Sequence, residues 1–184
     1  MLCGKKIGLR ARHESDVMIL QAGLYDDVAT RVRADSRPWQ PIPPDPAFSP
    51  YRVGSLSDDV AFFSVVDLAD GDSLAGEALL WGIDSHNRSA HLGVSLLPQC
   101  RGRSLGTDVV AVLCEYGFSI RGLHRLQVDT LADNQPMIGA ATRAGFIAEG
   151  VRRDAAWASG AFLDEVILGL LADEWSPNSG ALPQ

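Results

Sequence analysis

The residues best suited to chemistry form one short run, Arg101-Gly102-Arg103-Ser104-Leu105-Gly106-Thr107, between an alternating apolar segment and a strongly striped one. A strand entering a helix through glycine is an anion site by construction. The first N–H groups of the helix have no intrahelical partner, and they face the positive end of the helix dipole. Gly102 and Gly106 let the backbone approach a ligand, and Arg101 and Arg103 are suited to charge-assisted contacts with phosphate oxygens. A Walker A loop is excluded, because the two glycines stand one residue too close and no lysine follows. The Gly-x-Gly-x-x-Gly dinucleotide fingerprint is also missing. The competing reading is an ordinary strand-to-helix turn that happens to hold two arginines.

The elements around this run follow from periodicity. Ile7–Ala11, Val60–Val66, Leu74–Trp81 and Ser89–Leu97 read as strands, the last three joined by short turns into an antiparallel meander. Val109, Val112, Leu113, Tyr116 and Ile120 form the apolar stripe of a helix that packs on the sheet. His124–Leu131 alternates as a strand. Asn134 is a natural N-cap, Pro136 suits a first turn and Gly145 a left-handed C-terminal position, which frames a helix over Asn134–Ala144. Phe146–Arg152 and Leu163–Leu171 complete the strands. Near the N-terminus, Asp16–Leu24 and Asp26–Asp35 read as helices. Pro38–Pro50 is too proline-rich for regular structure and reads as an ordered loop or lid. Its aromatics, Trp39, Phe48 and Tyr51, either line a substrate mouth or pin the loop to the body. The expectation is one α/β domain over 1–175 (α+β by strict layering) and a flexible tail over 176–184.

Composition narrows the function. The 184 residues carry a formal net charge of -7, which opposes non-specific binding to nucleic acid and suits a cationic or small amine partner. No apolar run approaches the roughly 20 residues of a membrane span, and no signal peptide precedes the first strand, so a cytoplasmic protein is expected. Cys3, Cys100 and Cys114 lack paired spacing, so neither disulfides nor a metal site are expected.

Arg101-Gly-Arg-Ser-Leu-Gly106 resembles the Arg/Gln-x-x-Gly-x-Gly/Ala pyrophosphate loop of the GCN5-related N-acetyltransferases, with Ser104 where that family usually has glycine. Asn134-Gln-Pro-Met-Ile-Gly-Ala-Ala-Thr-Arg-Ala-Gly145-Phe146 resembles the family's second coenzyme-contacting helix. Phe146-Ile-Ala-Glu149-Gly150 through Arg153, with Gly160 and Asp164, is similar to the branch holding the ribosomal-protein N-terminal acetyltransferases. The resemblance runs from Gly8 to Leu171. It implies a mixed, mostly antiparallel sheet flanked by helices and splayed between its fourth and fifth strands, with acetyl-CoA or another acyl-CoA entering the gap. Pantetheine would pair with backbone around Val94, Leu96 and Leu97. Arg101, Gly102, Arg103, Ser104, Leu105, Gly106 and Thr107 would hold the phosphates, and Asn134, Met137, Ala141 and Arg143 would contact the coenzyme from the second helix.

The chemistry implied is direct attack of an amine on the thioester, with the Leu96 N–H as oxyanion donor. Relatives often protonate the leaving thiolate with a Tyr or Ser, but those positions are Ala141 and Met137 here, and a Glu of the branch is replaced by Ala156. Glu77 and His91 are the remaining candidates for a base, although a solvated Glu77 and a surface or structurally bonded His91 are the bland alternatives. Imidazole is the more natural base, because it titrates near ~6.5 unperturbed. Glu149 and Asp164 are expected to make local hydrogen bonds. An α-amine with pKa ~7.7–8.0 needs less help than a lysine near ~10.4, which favours a peptide N-terminus or a small-molecule amine. Ala141 suggests room for an acyl chain longer than acetyl. A non-catalytic acyl-CoA sensor and a coenzyme-free interaction module remain as alternatives. A homodimer is compatible with the resemblance, although no exposed apolar stripe marks an interface.

Overall fold

The computed structural model describes residues 1–35 and 37–176, so most of the expected tail, 177–184, lies outside the described residues. The strands are β1 (Leu2–Cys3), β2 (Ile7–Arg10), β3 (Val60–Asp67), β4 (Ser73–Asp84), β5 (Ser89–Leu96), β6 (Arg125–Leu131), β7 (Ile147–Ala158) and β8 (Ala161–Leu171). They form one eight-stranded sheet in the order β1-β2-β3-β4-β5-β6-β8-β7. Neighbours are antiparallel except β5 and β6. This is the expected mixed, mostly antiparallel sheet. The unexpected β1 is two residues long, too short for any periodic signal.

The sheet parts where expected. β5 and β6 pair only at Ser89↔Arg125, Ala90↔Leu126 and His91↔Gln127, after which each strand continues without the other. One side of this gap is supported by a close approach: a Cβ at Gly76 would collide with the Ser95 carbonyl oxygen, so glycine lets β4 lie tight against β5.

Among the described residues four α-helices flank the sheet: α1 (Glu14–Leu20), α2 (Val28–Ala34), α3 (Leu105–Glu115) and α4 (Gln135–Arg143). Leu96, the last residue of β5, and Leu97, which follows it, show which face each helix covers. A Cβ at Gly106 of α3 would meet the Leu96 side chain, whereas Leu97 packs against Gly23, just after α1. Ser64 of β3 donates to Asp16 of α1 at 2.7 Å on that second face. Even-numbered residues of β5 therefore look toward α3, and odd-numbered ones toward the α1 side.

Local chemistry explains the helix ends. Asn134 Oδ1 accepts from the Met137 N–H, Pro136 occupies the first turn of α4, and Gly145 follows its end at φ 103°. The stripe on α3 is buried at Val109, Val112 and Leu113, but the helix continues as a π-helical turn over Tyr116–Ile120. The extra residue per turn swings Ile120 out of register, leaving it 52% exposed.

The Pro-rich segment holds only a short 3₁₀ turn, Pro46–Phe48. Trp39 Nε1 donates to the Tyr25 carbonyl at 3.1 Å, Tyr25 Oη donates to the Gln40 carbonyl at 2.8 Å, and Tyr51 is buried. Trp39 and Tyr51 are thus anchors, and only Phe48 stands exposed. β7 runs well past the expected Arg152 and returns through Ser159 and Gly160, both with positive φ, a two-residue hairpin turn. It lies at the sheet edge. Ile147, Val151 and Trp157 on β7 and Phe162 on β8 are exposed, so an apolar edge exists that the sequence pattern does not announce.

Among the described residues no helix is long and apolar enough to cross a membrane, and no cluster of His, Cys, Asp and Glu is arranged to hold a metal ion.

Candidate active site

The gap between β5 and β6 presents backbone groups. Leu97 N–H donates to the Ala75 carbonyl at 2.9 Å, so the amide directions of an extended strand turn the N–H of Leu96 and Val94 away from β4 and into the gap. This corrects the expectation for Leu97, whose amide is committed to β4. Arg101 reaches back over the gap: its Nε donates to the Leu96 carbonyl at 3.0 Å and its Nη1 to Thr30 Oγ1 at 3.3 Å.

Below the gap lies the turn into α3. Gly102 has φ 74° with open space where a Cβ would project, and Ser104, the N-cap residue, sits at φ 62°, ψ 17°. Two residues with positive φ so close together bend the chain into a concave nest of N–H groups at the helix N-terminus. A Cβ at Gly106 would meet only Leu96 Cδ1 at 3.8 Å, so this cradle is open. Ser104 makes no side-chain cap, because its left-handed backbone is spent on the turn. Leu105 is buried in the core and offers only its backbone, while Thr107 is half-buried on the first turn.

The two arginines have partners within the protein. Arg103 Nη2 lies 2.6 Å from Oδ2 of the buried Asp67, and its carbonyl accepts from Lys6 Nζ at 3.3 Å. Neither guanidinium extends freely over the cradle, which corrects the expectation of two arginines aimed at phosphate. Asp108, which the sequence does not single out, accepts backbone N–H groups of Lys6 at 2.7 Å and Ile7 at 3.1 Å, tying the start of β2 to α3.

On α4 the expected residues divide. Asn134 caps the helix and donates to Thr130 Oγ1 at 2.9 Å. Met137 is half-buried, and exposed Arg143 folds back over Gly139. Ala141 is completely buried and packs in the core, so it provides no space for a longer acyl chain, and that expectation is corrected.

Glu77 and His91 both lie on the α1 side, in different surroundings. Glu77 is buried and accepts from Arg12 Nη2 at 2.6 Å, while Arg12 also donates to the Tyr51 carbonyl at 3.2 Å and lies over the rings of Tyr51 and Phe62. Burial raises the Glu77 pKa, and the opposing pull of Arg12 and Arg31 does not cancel it. The expectation of a solvated Glu77 is therefore wrong. Its partner Arg12 gave no sequence signal, because only the fold brings β4 to the segment before α1.

His91 stands at the last paired position of β5, where the gap begins. Its ring stacks on Trp81 with centroids 4.2 Å apart at 19°, and its Nδ1 lies 3.0 Å from Asp129 Oδ2 on β6. The expected structural hydrogen bonds are found for Glu149, which accepts from Arg125 Nη1 at 2.8 Å, and for Asp164, which accepts from the Asp154 N–H at 2.9 Å.

Similarity to known proteins agrees with this geometry. The family profile of the acetyltransferase (GNAT) domain matches residues 6–147. The provisionally named ribosomal N-acetyltransferase YdaF of Bacillus subtilis (strain 168) is 32% identical over 108 residues, 59% of this chain and 58% of that protein. The uncharacterized N-acetyltransferase p20 of Bacillus licheniformis is 28% identical over 66% of this chain and 68% of its own length. In fold, the spermidine N-acetyltransferase of Vibrio cholerae, solved with CoA and spermine, superposes with a TM-score of 0.76 at 18% identity, covering 91% of this chain and 96% of that one. The profile match spans both the cradle before α3 and the whole of α4, and the chain belongs to the GNAT acetyltransferase domain family.

Proposed function

We propose that the protein, through one domain over 1–175, moves an acetyl or other short acyl group from acyl-CoA to a primary amine by direct attack on the thioester. The observation that carries this reading is the parting of β5 from β6 immediately before the cradle of α3, which puts unpaired strand amides and a phosphate nest on one continuous path. The pyrophosphate would rest on the N–H groups from Gly102 to Thr107. Pantetheine would extend along Val94 and Leu96, and the Leu96 N–H would meet the developing oxyanion.

We assign the base to His91, which stands five residues before Leu96 on β5, roughly 16 Å along the strand, so that the amine's proton reaches it through a chain of water. Glu77 is held by a guanidinium and must lose that ion pair to accept a proton, whereas His91 is part-exposed at the head of the gap. No hydroxyl stands at positions 137 or 141 to protonate the thiolate. The acceptor is a peptide α-amine or a small cationic amine. The ribosomal name of the Bacillus subtilis relative supports the first, and the formal net charge of -7 with the polyamine-binding fold relative supports the second. The vacant acid positions and the Arg12–Glu77 pair favour a second reading, an acyl-CoA-binding sensor without turnover.

The test is thermal unfolding with and without CoA and acetyl-CoA, for the native chain and Gly106→Glu. Ligand at a hundred times its Kd stabilises by ~2.7 kcal/mol, roughly 5–10 °C for a chain of this size. A Cβ at position 106 makes only an ordinary contact with Leu96, and a carboxylate at the helix start opposes phosphate binding, so the shift should vanish while the ligand-free Tm holds. No shift in the native chain would sink both readings. A shift without acetyl transfer to spermine or to a peptide α-amine would favour the sensor.

A further inference from the structure

A line of polar side chains crosses the α1 side of the sheet and ends on His91. Glu149 on β7 accepts from Arg125 Nη1 at 2.8 Å, Arg125 Nη2 donates to Gln127 Oε1 at 3.2 Å, and Gln127 Nε2 donates to Asp129 Oδ1 at 3.0 Å. The other oxygen of Asp129 lies 3.0 Å from His91 Nδ1, which is buried and has no other polar partner. The two atoms lie within hydrogen-bond distance without forming an aligned bond.

The line has a direction. Arginine only donates, so Gln127 must turn its oxygen to Arg125 and its amide nitrogen to Asp129. An ionised carboxylate only accepts, so what it takes from His91 is an Nδ1–H. That leaves Nε2 with a free lone pair. The far end is fixed by packing: a Cβ at Gly169 would collide with the Glu149 carboxylate and lie 2.7 Å from Arg125 Nη2, so glycine there lets the ion pair lie flat on the sheet. On the other side of the ring β4 supplies neutral Trp81. Asp129 is thus the charged group facing His91 across the gap's apex.

We propose that Asp129 is a positioning residue that holds His91 in the tautomer whose Nε2 accepts, through water, the proton that the attacking amine gives up, with Gln127, Arg125 and Glu149 anchoring Asp129. This deepens the acyl-transfer reading and rests on it for its catalytic meaning. As the amine nitrogen bonds to the thioester carbon, the carbonyl π pair moves to the oxygen on the Leu96 N–H and the amine's proton passes through water to Nε2. Collapse of the tetrahedral intermediate breaks the C–S bond and releases the CoA thiolate, which is protonated from solvent, while the imidazolium keeps its Nδ1–H on the Asp129 carboxylate. The arrangement follows the logic of acid–histidine pairs in hydrolases, assembled here from two strands that are about to separate.

The experiment reads the tautomer directly. Imidazole ¹⁵N spectra of the labelled protein at pH 8, with His91 assigned by its loss in His91→Gln, should show Nδ1 protonated and Nε2 bare. Asp129→Asn should shift the population toward the Nε2–H form that a free imidazole prefers. In transfer from acetyl-CoA to spermine or to a peptide α-amine, it should lower kcat by about 100-fold and leave the acetyl-CoA thermal shift intact. Gln127→Leu keeps the carboxylate and should give a smaller loss in the same direction, which covers the case that Asp129→Asn does not fold. Nε2–H in the native protein, or a tautomer indifferent to Asp129, would overturn the pairing. The Nδ1–H tautomer in a protein that acetyl-CoA fails to stabilise would leave the pairing standing and remove the acyltransferase reading instead.

Discussion

The two sides of the sheet at the β5–β6 gap are built differently. Toward α3 the site is backbone: amides of Val94 and Leu96, a left-handed Gly102 and Ser104, and the free N–H groups of a helix start. Toward α1 it is side chain: Arg12 on Glu77, Asp129 on His91 and Ser64 on Asp16 each join segments distant in sequence, and Arg10 adds a local pair to Asp16. A backbone site tolerates most side-chain changes and fails when a residue blocks it. A side-chain site fails when one partner is removed, because a buried charge is left alone.

That difference is open to direct measurement. On the α1 side, Arg12→Met should destabilise most, by about 3–5 kcal/mol in urea unfolding at pH 7, since Glu77 loses its cation. The sign with pH follows from burial. Folded Glu77 holds its proton more tightly than the unfolded chain does, so stability falls as pH rises above ~4.3, and the variant, without the pull of Arg12, should carry that fall to higher pH. If Arg12→Met costs little, the α1 side is not the charge-dependent construction described.

Asp16 gives the next effect, with the opposite sign. Burial would raise it, but Arg10, the His13 N–H and Ser64 together hold it down to about 2. Its stabilisation, about 2 kcal/mol, is present above ~3.9 and is lost as pH falls toward the folded value. Asp16→Asn should therefore lower the denaturation midpoint at pH 6 and converge with the native protein near pH 2.

The smallest effect belongs to the cradle. Ser104 carries a side chain at φ 62°, a conformation that costs an L-residue roughly 1 kcal/mol and glycine nothing. Ser104→Gly should raise stability by up to about 1 kcal/mol and leave CoA stabilisation in place. A loss of CoA binding would mean that the serine hydroxyl, not the backbone, makes the site.

Much of this architecture was legible beforehand. Alternation at Val60–Val66, Ser89–Leu97 and His124–Leu131 gave the strands within a residue or two. Asn134, Pro136 and Gly145 bracketed α4, because capping is a property of a few consecutive residues. The cradle was legible for the same reason. Misreadings arose where the outcome depended on neighbours. Spacing alone puts Ile120 on the stripe of α3, whereas a π turn moves it out, and β7 extends to Ala158 because β8 is there to pair with it.

The sequence by itself determined the strand and helix order, the glycine-bearing turn into α3 and the family, all of which rest on contiguous residues with a local physical meaning. Only the tertiary structure decided that Glu77 is buried on Arg12, that Arg103 is taken by Asp67, that Ala141 is core and that His91 meets Asp129. Side-chain pairing is set by sheet register and helix placement across the whole fold, and no local spacing encodes it.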